Sequence, residues 1–342
     1  MGGNASERVT VTATSVWFPR AREVELRDEP IRRPGQGEVR VRAIASGLSH
    51  GTEMLVYRGE VPPDLALDLP TLAGSYSFPI KFGYASVGRV VEAGSGANLA
   101  PNDVVFVHHP HQQEYVVSAA AAIRLPDRLP PELGVFLANC ETALNVVLDA
   151  HPRLGEEVVV FGQGVVGLLV TQLLQRAGAS VTAVEPIALR RELALRCGAD
   201  EAITPEDAPE RIQARTNGRG ADVVIEASGS ARALQLAIDA AAFQASVVVC
   251  SWYGSKPVSL DLGSRFHRAR LRLISSQVSQ LDPALAPRWD RKRRLETAVA
   301  LLSELVLSPL ITHRIPFARA AEAYELVDQR PEETVQVILS YE

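Results

Sequence analysis

From residue 9 to about 124, apolar and polar positions alternate in short runs broken by glycine and proline: VTVTATSVWF, GEVRVRAIASG, SVGRVVEAG, NDVVFVHH and EYVVSAAAAIRL. Alternation at period two between turn residues predicts an antiparallel, barrel-like β domain. From Pro130 the period changes. LGVFLANCETALNVVLDA spaces its apolar residues as a helix does, and strands then alternate with helices. Strands are expected at 156–162, 180–185, 221–229, 245–254 and 271–277, all apolar runs without alternation, as befits strands covered on both faces. Between them GVVGLLVTQLLQRAGA, ALRRELALRCGA and ARALQLAIDAAA are amphipathic and long enough for crossover helices. This cadence predicts a doubly wound α/β domain on a parallel sheet. A helix (KRRLETAVALLSELV), a loop and a strand (TVQVILSY) close the chain.

Composition adds limits to this picture. At 342 residues the chain exceeds what one hydrophobic core usually serves, so two domains are expected. A net charge of -5 gives no support for nucleic acid as a partner. The one basic run, RWDRKRR at 288–294, reads as a solvated helix face rather than a phosphate patch. Cys140, Cys197 and Cys250 form no CxxC pair, which points to a reducing compartment and away from a disulfide framework. No apolar run reaches the roughly 18 residues of a membrane span, and no signal pattern opens the chain, so a cytoplasmic protein without a membrane partner is expected. Met1 to Ser6 formally fits a myristoylation pattern short enough to arise by chance.

The strongest chemical signal is VVVFGQGVVGLLV, which sets Gly162, Gly164 and Gly167 in a G-x-G-x-x-G loop after an apolar strand and before a helix. Gly162 is expected to make the tight turn, Gly164 to admit a pyrophosphate to the backbone, and Gly167 to let helix meet strand. Val165 and Val166 then lie in the helix N-terminus, whose partial positive charge favours phosphate. Glu185 ends the next strand, 185 − 162 = 23 residues on, near the spacing of an acid that accepts from a ribose hydroxyl. Such a carboxylate repels a 2′-phosphate and favours NAD over NADP; Arg190 and Arg191 either soften that preference or are exposed helix residues. Ala227, Ser228, Gly229, Ser251 and Trp252 follow later strands and are expected at the cofactor, since ligands sit at the carboxyl ends of the strands.

The order of parts resembles the medium-chain dehydrogenase/reductase superfamily, zinc alcohol dehydrogenase type, over nearly the whole chain. SPLITHRIPFARAAEAYELVDQ is similar to that family's ending, and VVIEASGS and LRCGADEAI to its middle. The resemblance implies a GroES-like domain over 1–137 completed by 281–342, a Rossmann NAD-binding domain over 138–280, a cleft between them and a homodimer. It also implies a zinc held by a cysteine, a histidine in GHE and a second cysteine. At those positions this chain has Ser49, Tyr84 in Gly83-Tyr84-Ala85, and Ala138, and the lobe with four structural cysteines is missing. Zinc wants Cys, His or carboxylate donors, so the expectation is a chain without zinc. SGLSHGTE, KFGYASVG, ANCETALN and SSQVS more narrowly resemble a branch containing bacteriochlorophyllide dehydrogenase-like proteins. His108, His109 and His111 in VHHPHQQEY read as a cleft loop or surface histidines rather than a replacement metal site.

Without a Lewis acid, a carbonyl must be polarised by hydrogen-bond donors and a general acid/base. Tyr84 and Ser49 are candidates to hold the substrate oxygen, with filling of the vacated metal space as the alternative for both. His50 suits proton relay; Thr52 follows it, and Glu53 either orients His50 or sits at a helix start. Glu141 and Thr142 either touch nicotinamide or substrate or cap a helix. The reading is a zinc-independent NAD(H)-dependent oxidoreductase interconverting a secondary alcohol and a ketone on a small, biosynthetic metabolite. A C=C reductase, a redox-neutral epimerase and a non-catalytic nucleotide-binding protein are the alternatives.

Overall fold

The computed structural model describes residues 11–67, 71 and 74–341; the myristoylation pattern lies outside them. Two compact units divide the chain. The first comprises residues 1–136, 313–329 and 337–342, and the second residues 137–312 and 330–336.

The first unit begins with β1 (Val11–Trp17), β2 (Glu25–Ile31), β3 (Glu38–Gly47) and a short helix α1 (Thr52–Arg58). It continues through β4 (Ser86–Ala93), β5 (Val104–Val107), β6 (Glu114–Ser118) and β7 (Ala122–Arg124). Strands β1 and β2 pair as a separate antiparallel ribbon. The predicted alternation is visible in β3, where Val39, Val41, Ala43 and Ala45 are buried and Arg40 and Arg42 reach outward to Glu114.

The second unit opens with α2 (Leu137–Ala150) and runs β8 (Glu157–Phe161), α3 (Val165–Arg176), β9 (Ser180–Val184), α4 (Ala188–Arg196) and β10 (Glu201–Ile203). Then come α5 (Ala208–Arg215), β11 (Ala221–Glu226), α6 (Ala231–Ala240), β12 (Ala241–Val249), β13 (Arg272–Ser275) and α7 (Arg291–Leu301). Its six strands are parallel in the order β10-β9-β8-β11-β12-β13. The winding reverses between β8 and β11, which makes their carboxyl ends the place where such a sheet takes a ligand. Central strands are apolar throughout: Val158, Val159, Val160 and Phe161 of β8 are all buried.

Finally β14 (Ile311–Pro316), α8 (Ala320–Gln329) and β15 (Gln336–Ser340) complete the chain. The larger antiparallel sheet runs β14-β15-β3-β4-β5-β7, with β6 also paired to β3. The return to the first unit falls at His313, where the sequence reading set it near 281. The reason is α7: its Arg294 is buried against Glu141 and Asn145 of α2, which keeps that helix in the second unit. The basic run is therefore not wholly a solvated face, since it ends in this buried arginine. One helical stretch, Pro131–Ala150, does reach the length and mean hydropathy (1.3) of a membrane span, contrary to the sequence expectation. Its α2 part is a core helix, with Leu137, Cys140, Ala143 and Val146 buried.

Candidate functional sites in the two units

In the second unit the glycine loop lies at the carboxyl end of β8. Gly162 has φ 93°, and a Cβ there would stand 2.8 Å from Ala227 C and Ser228 Cα. A Cβ on Gly167 would meet the Gly162 carbonyl oxygen at 1.9 Å. These two glycines thus let the loop, α3 and the residues after β11 share one narrow space. Gly164 differs: a Cβ there meets nothing within 4 Å, and the residue is the N-cap of α3. Open space at a helix N-terminus is what a phosphate needs, because unpaired N–H groups and the helix dipole favour an anion. Val165 is buried and Val166 partly so, on the first turn of α3.

Glu185 is buried at the end of β9; its Oε2 accepts the Gln163 N–H at 2.7 Å and its Oε1 the Ile187 N–H at 3.0 Å. Each carboxylate oxygen keeps a further acceptor position. Arg191 donates to the carbonyl oxygens of Glu185 and Pro186 at 2.8 and 2.7 Å. Arg190 instead spends its guanidinium on the carbonyls of Pro331 and Thr334, and burial lowers its pKa.

A carboxylate not singled out in the sequence organises the next loop. Glu226 ends β11 fully buried; Oε1 accepts the Ser228 and Gly229 N–H groups at 2.7 and 2.9 Å and the Ser228 hydroxyl at 2.6 Å. Oε2 accepts the Tyr253 hydroxyl at 3.0 Å, and burial with this neighbouring charge raises the tyrosine's pKa. The Ser251 hydroxyl accepts the Gly229 N–H at 2.9 Å, so the segment Ala227 to Gly229 is tied to the one after β12. Trp252 is 37% exposed beside it. An acid closing an otherwise apolar strand (VVIE) was the available signal.

Glu141 is held elsewhere. Arg294 donates to its Oε1 from Nε at 3.1 Å and from Nη2 at 3.0 Å, and to Asn145 Oδ1 at 2.6 Å. The Thr142 hydroxyl donates back to Ala138 O at 3.0 Å, as a helical threonine does.

In the first unit, Ser49, Thr52 and Tyr84 bring three hydroxyls together. The Tyr84 hydroxyl donates to Ser49 Oγ at 2.5 Å. Burial pushes the phenol up to about 12, against hydrogen bonding with Ser49 and Thr52 that pulls it down, while the Glu53 charge adds to the rise. The phenol therefore stays protonated through the neutral range and is a donor. Ser49, His50 and Thr52 all keep partial exposure. Beneath them Glu53 is fully buried, accepting the Ser49 N–H at 3.1 Å, His111 Nε2 at 2.8 Å and the Tyr324 hydroxyl.

The histidine loop is not a surface feature. His111 is fully buried, and a Cβ on Gly83 would stand 2.7 Å from its ring, so glycine is needed there. His109 is buried and stacked on Tyr115 with centroids 3.7 Å apart; desolvation lowers its pKa to about 3. Both histidines point inward, His109 onto Tyr115 of β6 and His111 onto Glu53 of α1.

Residues 165–292 match the family model for zinc-binding dehydrogenase. D-guloside 3-dehydrogenase of Escherichia coli (strain K12) is 31% identical over 325 residues, covering 89% of this chain and 93% of that one. The chain belongs to the zinc-type medium-chain dehydrogenase/reductase superfamily. Another relative in this superfamily, the 2-desacetyl-2-hydroxyethyl bacteriochlorophyllide A dehydrogenase of Rhodobacter capsulatus, is 28% identical over 316 residues, 87% of this chain and 89% of that one. The superfamily fold is matched by the crystal structure of an oxidoreductase/dehydrogenase of unknown specificity from Escherichia coli. Its TM-score is 0.81 at 15% identity, over 97% of this chain and all of that one. The two units are accordingly the GroES-like and Rossmann parts of this superfamily.

Proposed function

We propose that this dehydrogenase works without zinc, binds NAD(H), and interconverts a secondary alcohol and a ketone on a small biosynthetic metabolite. The observation that carries the proposal is the hydroxyl pair of Ser49 and Tyr84, at two positions where the superfamily places zinc ligands, with the Thr52 hydroxyl beside them. At the three ligand positions the donor atoms are two hydroxyls and, at Ala138, a methyl group. Among the described residues no three His, Cys, Asp or Glu side chains converge in a way that fits a metal ion. That donor chemistry does not suit zinc, which takes thiolate, imidazole or carboxylate ligands.

The second unit fits a dinucleotide. The open space at Gly164 and the start of α3 receive the pyrophosphate, and the spare acceptor positions on Glu185 receive ribose hydroxyls. The same carboxylate opposes a 2′-phosphate. NAD, when bound, supplies or accepts the hydride. The residues of the first unit handle the oxygen: on substrate binding the Tyr84 hydroxyl turns its one hydrogen from Ser49 Oγ to that oxygen, Ser49 and Thr52 can accept or return the proton, and His50 beside them suits relay. Glu141 and Thr142, engaged with Arg294 and Ala138, have no part in this proposal.

A homodimer is the proposed assembly. Strand β13 ends the parallel sheet with Leu273 42% exposed, and an open edge strand is ready to pair with another chain. Cytoplasmic placement is proposed from the three free cysteines.

Purified protein tests the proposal directly. Calorimetric titration is expected to show NADH binding more tightly than NADPH, and elemental analysis no stoichiometric zinc. Tyr84→Phe is expected to lower kcat on a secondary-alcohol substrate on the order of 100-fold, the cost of one donor to a developing oxyanion. Stoichiometric zinc whose chelation abolishes turnover would overturn the metal-free reading. Binding of neither dinucleotide would overturn the cofactor.

A further inference from the structure

Below the three hydroxyls lies a hydrogen-bonded chain that the proposed chemistry does not itself use. Ser46, Glu53, His111 and Tyr324 have no exposed surface. His111 Nδ1 lies 2.6 Å from Ser46 Oγ, and Ser46 Oγ lies 2.8 Å from the Tyr341 hydroxyl. Glu53 closes the chain by accepting from His111 and Tyr324 on Oε1 and from the Ser49 backbone on Oε2.

One placement of protons that satisfies every partner pairs a carboxylate at Glu53 with a neutral ring at His111. The Ser49 amide is always a donor, and an ionised carboxylate accepts only, so His111 Nε2 carries the hydrogen. A neutral ring then accepts at Nδ1, which makes Ser46 the donor to it and Tyr341 the donor to Ser46. Each group thereby fixes the next across segments far apart in sequence.

Burying a carboxylate is costly, and a well-packed apolar residue would commonly give equal or greater stability. What the carboxylate supplies that an apolar residue lacks is a direct grip on the Ser49 backbone, whose side chain in turn receives the Tyr84 hydroxyl. We propose that Glu53 and His111 are positioning residues: the buried pair sets the Ser49 backbone and so aims the Ser49 and Tyr84 hydroxyls at the substrate oxygen. The functional part rests on the proposed role of those hydroxyls. The positional part does not.

The test places 3-fluorotyrosine at position 84 in the full chain and records its ¹⁹F NMR line without substrate or dinucleotide. A single narrow line is expected. Glu53→Gln replaces one acceptor oxygen by an NH2, set toward either the Ser49 N–H or the His111 ring and Tyr324 hydroxyl, and His111→Leu removes the imidazole from Glu53. Both are expected to move or split the line by more than its width. His111→Gln can still donate an amide hydrogen to Glu53 and is expected to restore the wild-type line; it and Glu53→Gln serve if His111→Leu does not fold. Val90→Ala, a buried packing change in a separate cluster, is expected to lower the melting temperature with the line unmoved. Coincidence of the Glu53→Gln line with wild type, or an equal displacement in Val90→Ala, would overturn the proposal. Tyr84→Phe turnover separately tests whether the aimed hydroxyl serves the substrate, so either claim can fail alone.

Discussion

Replacing Gly164 by alanine separates dinucleotide binding from folding. Gly164 has φ −68° and ψ −174°, extended backbone that alanine adopts freely, and the added methyl would meet no protein atom within 4 Å. Removing a glycine from the unfolded ensemble stabilises by about 0.4–1 kcal/mol. Alanine is the poorer N-cap by about 0.5–1 kcal/mol, so the two effects nearly cancel. The melting temperature should hold within about 2 °C, given that 1 kcal/mol shifts a domain of this size by roughly 2–4 °C. Binding is different, because the methyl occupies the place offered to the pyrophosphate. Loss of one charge-assisted hydrogen bond costs about 1.5–3 kcal/mol, which is roughly 10- to 150-fold in Kd at 1.4 kcal/mol per decade. Calorimetric titration with NADH at fixed salt measures this. An unchanged Kd at an unchanged melting temperature would refute the assignment of the phosphate to Gly164.

Gly167→Ala should do the reverse and damage the fold: with a Cβ placed 1.9 Å from the Gly162 oxygen, urea unfolding is expected to show a loss of about 3 kcal/mol. Arg294→Ala leaves Glu141 and Asn145 without their donor and should cost about 3–5 kcal/mol in the same assay. His109 gives a pH signature. Its folded pKa, about 3, lies below the ordinary unfolded value, so the unfolded chain alone takes up a proton as pH falls through the mid range. Stability present above about pH 6.5 is therefore lost on acidification, by about 2 kcal/mol at pH 5. His109→Phe, which keeps an aromatic ring on Tyr115, should flatten that part of the urea-midpoint profile; an unchanged profile would refute the assignment.

The Rossmann half was legible because its signals are local. A glycine loop, an apolar strand and a following acid are read within a few tens of residues, and β8, α3 and β9 fall where the periodicity put them. Strand β2 escaped notice because ELRDEPI belongs to a two-stranded ribbon with mostly exposed side chains, which leaves no apolar stripe to read. Helix α5 has only Ala208 and Ile212 buried, too few for a visible period. Ser49, Thr52 and Tyr84 are all candidates from the sequence, and Glu53 does sit at a helix start, one of its two readings, but nothing local pairs it with His111 and Tyr324. Those partners lie 58 and 271 residues away, and only the sheet of the first unit brings them together. The pairing of Glu141 with Arg294 has no local signal for the same reason, since the two are 153 residues apart.

The glycine loop is walled on one side and open on the other. Gly162 leaves no room even for a methyl toward Ala227 and Ser228, and Gly167 none toward the Gly162 carbonyl, whereas Gly164 faces empty space. Redesign of cofactor preference therefore has a one-sided lever. Gly162 and Gly167 are fixed by the protein's own backbone and Gly164 by the phosphate it would meet, so variation that changes which dinucleotide is accepted must collect on the far rim, at Glu185, Ile187 and Arg191. In a library randomised across both places, the loop would return almost unaltered and the rim would carry the diversity.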